Sequence, residues 1–110
     1  MVYRYNELEP GERAVYWVVE FFNGNVGEET YCDTEREAID YAELHAMGFT
    51  KREAYEVYWE GYAFITKRVI ELDDDGELVW DECIDDSAWS YDSWLKSREY
   101  DNGLWREVTA

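Results

Sequence analysis

The side chains whose types and spacing invite a chemical reading are carboxylates. From Glu71 to Asp86, ELDDDGELVWDECIDD, nine of sixteen residues are acidic: Glu71, Asp73, Asp74, Asp75, Glu77, Asp81, Glu82, Asp85 and Asp86. None of the sixteen is Lys, Arg or His. Glu71, Asp73, Asp75, Gly76 and Glu82 fall at positions 1, 3, 5, 6 and 12 of the calcium loop D-x-[DN]-x-[DN]-G-x5-E, with apolar Leu78 at position 8. Two features oppose a calcium site. Glu at the first position carries one methylene too many for a tight loop. The flanks, AFIT and LVW, favour strands where the motif needs helices. The stretch therefore reads as an acidic hairpin turning at Asp75-Gly76, and a calcium-responsive domain is a subordinate alternative.

Other reactive groups are sparse. His45 is the sole histidine, so any triad would need it, and it sits on the inward face of an Ala-rich helix. A carboxylate pair of the glycosidase kind has acids to draw on, but a chain of 110 residues leaves little room for a deep sugar cleft. Cys32 and Cys83 form no CxxC, are too few for a disulfide framework, and lie in strand-like contexts; two buried free thiols are expected, with one bridge the alternative. No phosphate-cradling Gly-rich loop and no His/Cys metal spacing is present. The expectation is a non-enzymatic protein with no catalytic residue, no metal and no cofactor.

The elements that must position these acids follow from periodicity. RAVYWVVEFF, Arg13–Phe22, is apolar on both faces and reads as a central strand. Asn23-Gly24-Asn25 supplies a tight turn into a return strand over Gly27–Cys32. Asp33 is the expected N-cap of a helix reaching about Met47 and stopped by Gly48, with Ala38, Ile39, Tyr41, Ala42, His45 and Ala46 inward. Thr50 and Glu53 form a capping-box pattern for a shorter helix, Lys51–Glu60. Strands are expected over Tyr62–Leu72 and Glu77–Ile84. A helix follows Ser87, with Tyr91, Trp94, Leu95 and Arg98 at helical spacing, and Leu104–Val108 closes the sheet as an edge. The fold class is α+β: a small antiparallel sheet in ββααββαβ-like order, with helices packed on one face. One compact domain spans residues 1–110, with 1–12 a loose lead-in.

The net charge of −17, from 27 acids against 10 bases, exceeds what solubility needs and opposes compaction by self-repulsion. Salt adaptation does not call for ten Tyr and six Trp, and a merely solvated acidic face is the bland alternative. Phosphate neutralisation needs clustered Lys and Arg, so direct binding to nucleic acid or to an anionic membrane is disfavoured. The sign instead favours a basic protein surface, including that of a nucleic-acid-binding host protein. Alternate residues on a strand lie about 6.6 Å apart. That spacing resembles successive phosphates, so a strand of carboxylates, helped by Asp40 and Glu43, would imitate a nucleic-acid backbone. The aromatic surplus, including Trp59, Trp89, Trp94 and Trp105, exceeds what so small a core readily takes in and suggests a second, aromatic interface. A homo-oligomerising module is the alternative built on those rings. No apolar leader follows Met1 and no run approaches membrane-span length, so a cytoplasmic protein is expected.

The segments FNGN, YCDTEREAIDYAELHA, FTKRE and IELDDDGELV, between residues 14 and 80, resemble small acidic proteins of phages and other mobile elements of Gram-positive bacteria, a group largely without assigned function. The resemblance rests on a cap, an Ala-rich helix and an acidic turn. It implies a mobile-element accessory protein and carries no catalytic residue.

Overall fold

The structure is a computed structural model that describes residues 8–84 and 86–108. Nine elements follow one another: β1 Arg13–Phe22, β2 Gly27–Cys32, α1 Glu35–Met47, α2 Lys51–Glu60, β3 Tyr62–Leu72, β4 Leu78–Ile84, α3 Tyr91–Lys96, β5 Arg98–Asp101 and β6 Leu104–Glu107. The main sheet is antiparallel in the order β2-β1-β3-β4, and β5 and β6 form a separate hairpin. The architecture is α+β as expected, with one strand more at the C-terminal end. None of the described helices is long and apolar enough to cross a membrane.

β1 is central because both of its faces are apolar. Val19 and Phe21 face α1 and α2, in a core with Ala38, Ala42, Ala46, Ala54, Val57 and Ile65. Tyr16 and Val18 face the other way, in a second cluster with Tyr31 and Ile70 onto which Leu8 and Ala14 pack. Alanines at every fourth position let α1 lie close on the sheet. The cap of α1 is Thr34 rather than Asp33: its hydroxyl accepts from the Glu37 N–H at 3.1 Å. Gly48 ends α1 at φ −78, so no left-handed residue is needed there. The capping box of α2 forms in full, with Glu53 accepting from the Thr50 N–H at 2.9 Å and Thr50 from the Glu53 N–H at 3.2 Å. Gly61 separates α2 from β3 where the chain passes hard against β1. A Cβ there would stand 1.6 Å from the Phe22 carbonyl oxygen.

The C-terminal region departs from expectation. The helix stops at Lys96, and Arg98 is a strand residue whose guanidinium lies 5.5 Å over Trp94. Leu104–Glu107 pairs with β5 instead of edging the main sheet, because the Trp105 indole N–H donates to the Phe49 carbonyl (2.8 Å) between α1 and α2. The Tyr91 hydroxyl likewise donates to the Ala54 carbonyl at 2.9 Å, and burial pushes its pKa up. The tail is thus a lid stapled to the helical layer. The lead-in is not loose over its described part. The Gly11 N–H donates to the Asp73 carbonyl (2.7 Å) and the Leu72 N–H to the Glu12 carbonyl (3.0 Å), which extends the β1–β3 register by one residue. Residues 1–7 lie outside the described set.

Candidate functional site

The β3–β4 turn is built by its first aspartate. Asp73 Oδ1 accepts from the N–H groups of Asp75 and Glu77, both at 2.9 Å, while the Asp73 carbonyl accepts from Gly76 and Gly11. An Asp side chain that binds the backbone two residues on is the usual way such a turn is fixed. Gly76 takes φ +82, which L side chains rarely adopt. A strand–turn–strand path with Asp73 turned onto the backbone is not the helix-flanked calcium loop, so the loop geometry is overturned.

Two turns meet at this end of the sheet. Gly11 and Pro10 touch the hairpin, bringing Glu9 and Glu12 beside Glu71, Asp73, Asp74, Asp75 and Glu77. Sequence reasoning missed Glu9 and Glu12. The signal was available, since an antiparallel β1–β3 pair running on from Arg13 opposite Glu71 puts Glu12 opposite Leu72. Among the described residues, none of Glu9, Glu12, Glu71, Asp73, Asp74, Asp75, Glu77, Glu82 or Asp86 is in an ion pair. Five bases among the described residues are engaged elsewhere, in Arg36–Asp40, Arg52–Glu56, Lys96–Asp92, Arg98–Glu107 and Arg106–Asp101.

Asp81 is the exception in the hairpin. It receives two bonds from Arg68, at 2.9 and 2.8 Å, and this guanidinium holds its carboxyl below the usual range. Arg68 also donates to the Tyr31 hydroxyl, whose pKa is pushed up to about 12 by burial and by a hydrogen bond to Glu29. One guanidinium thus ties β4 to β2 across the helix-free face, and Asp81 leaves the free acidic display. Asp85 lies outside the described residues.

The acids of β4 do not form the alternating lattice that strand spacing suggested. Asp81 lies on the Arg68 side and Glu82, opposite Val69, on the other. A register shift between Glu71 and Leu72 also separates Leu78 from Trp80, which simple strand alternation would put on one side. Leu78 pairs with Leu72 and Trp80 with Glu71, so they face opposite ways. Cys83 is exposed because β4 is an edge strand, whereas Cys32 is buried, and both thiols are free.

The aromatics divide in the same way. Trp94 and Trp105 are only 4 % and 8 % exposed, tilted against each other with their centroids 5.5 Å apart, so they belong to the core and not to an interface. Trp89 is half-buried against Phe21 and Tyr91. Trp59 is 74 % exposed, edge-on to Tyr58 at 4.7 Å, with Tyr55 exposed on the same helix. His45 is held at 3.2 Å by Glu28 and ringed by Phe21, Tyr41 and Phe49, at the wall of a cavity of about 270 Å³. The cavity is lined by Glu28, His45 and Glu53 among mostly apolar side chains, with no Ser, Cys or Lys. No family model matches this chain, and no curated protein or solved structure matches it.

Proposed function

We propose that this chain is a non-enzymatic interaction protein whose acidic end occupies a basic surface of a protein partner, of the kind that otherwise holds a nucleic-acid backbone. A phage or mobile-element inhibitor of a nucleic-acid-binding host protein is the setting that fits best. The observation that carries this reading is the convergence of carboxylates from two turns, fixed by backbone hydrogen bonds and unpaired among the described residues. Charge held in this way steers a basic partner and gains affinity as counterions leave. Mimicry of phosphate charge rests on this cluster and not on a regular strand lattice.

The test is capture of basic host proteins on the immobilised chain, followed by titration of each against salt. Affinity should fall steeply between about 0.05 and 0.5 M salt. The triple variant Asp74→Asn/Asp75→Asn/Glu77→Gln should flatten that dependence while keeping the Asp73-centred turn. Affinity that does not change with salt would overturn the electrostatic reading. Trp59, exposed beside Tyr55 and Tyr58, supports a second reading as a homo-oligomerising module. Sedimentation of the full chain and of Trp59→Ala decides it: a dimer lost on substitution favours self-association, and a monomer in both removes it.

A further inference from the structure

The two edges of the main sheet are unlike. On β2, Thr30, Tyr31 and Cys32 are buried. On β4 every residue from Leu78 to Ile84 is exposed, and the described residues pair with it only through β3. An open edge presents a row of unpaired N–H and C=O groups, and folded proteins normally blunt it with charged side chains, Lys above all, with Pro or with a bulge. The charges of β4 are Asp81, bound by Arg68, and Glu82. β4 contains no Lys and no Pro, and its irregularity lies at the turn, leaving Trp80 to Ile84 in unbroken register with Lys67 to Glu71. Its large apolar side chains are also left in water: Val79 is 55 % and Trp80 is 52 % exposed.

We infer that β4 is a docking edge onto which a basic, extended segment of the protein partner adds as a fifth strand. The inference rests on the acidic reading above and names how that partner is held. Charge decides the occupant. A second copy would bring another chain of net charge −17 against this edge, whereas Lys or Arg opposite Glu82 completes an unpaired carboxylate. On the helix-side face the edge reads Trp80, Glu82, Ile84, and on the other it reads Asp81, Cys83, with Asp81 already bound by Arg68. The complementary segment therefore carries apolar, basic and apolar side chains at alternate positions, with main-chain hydrogen bonds giving affinity and the alternate side chains giving choice.

Three blocked peptides test it against the full chain: KTVTKTVTK, the same peptide N-methylated at alternate residues, and KGSGKGSGK, which has equal charge and little strand propensity. The expected result is binding of KTVTKTVTK about tenfold tighter than KGSGKGSGK, and loss of that advantage on N-methylation. Amide exchange of Leu78–Ile84 should slow in the KTVTKTVTK complex alone, and Glu82→Lys should weaken it with the circular dichroism unchanged. Equal affinity for all three peptides without amide protection overturns strand addition and leaves the electrostatic reading standing. Failure of all three to bind at low salt overturns both. Amide protection in the free chain that rises with its own concentration assigns the edge to a second copy and likewise overturns the inference.

Discussion

Glu20 shows how much a single carboxylate can be set by its neighbours. It is half-buried on β1, opposite Glu29 in the β1–β2 register, with Arg68 a weaker opposing influence. Burial first, and then Glu29, raise its pKa above 4.5. Ionising Glu20 therefore opposes folding: the penalty is absent below pH 4.5 and grows as pH rises through the folded-state value. Glu20→Gln should stabilise the protein at pH 7 by about 0.5–1 kcal/mol. Urea titrations at neutral and acid pH should show that gain disappearing below 4.5, and a gain independent of pH would contradict the assignment. The two cysteines make a second contrast at this scale. Cys83 is exposed on β4, while burial pushes the Cys32 thiol up. One thiol should react with an aromatic disulfide reagent in the native protein and the second only after unfolding; two equally fast reactions would show that β2 opens.

At the scale of elements, the join between α2 and β3 admits no side chain. Gly61→Ala would drive a Cβ into the Phe22 carbonyl, so the backbones must part. The expected cost is about 3 kcal/mol, toward the upper end for overpacking. Thermal unfolding measures it, and a variant as stable as the parent would mean that β1 and β3 separate there freely. This level also shows what the sequence made legible. Arg13–Phe22, Gly27–Cys32, Lys51–Glu60 and Tyr62–Leu72 emerge at their expected bounds, because apolar alternation, a tight turn and a complete capping box act within a few residues. The tail does not. Its helix stops at Lys96, short of Arg98, and its last strand leaves the sheet, because Trp105 and Tyr91 find acceptors on the carbonyls of Phe49 and Ala54, 56 and 37 positions away. Trp94 and Trp105 were expected at an interface for the same reason, since a count of aromatics is blind to a lid that buries them. The acidic hairpin was legible as a hairpin. The register shift that splits Leu78 from Trp80, and the lead-in turn that adds Glu9 and Glu12, depend on pairing with a distant strand.

For the whole molecule, a charge of −17 on a body 54 × 29 × 20 Å resists its own folding. Added salt should therefore stabilise it, each kcal/mol recovered raising the Tm by about 4–8 °C. Scanning calorimetry from low to moderate sodium chloride measures this, and a Tm that falls would mean that the ion pairs elsewhere outweigh the self-repulsion. The acidic end behaves differently from the body that carries it. Its loops are fastened by main-chain amides and by the Asp73 carboxylate at two of them, with no counter-charged side chain among the described residues taking part. Its outline therefore does not depend on ionic strength, although its pull on a partner does. Form and field are separable at this end: electrolyte can silence the attraction while the surface that must fit stays as it was, and any affinity that survives at high salt measures fit alone.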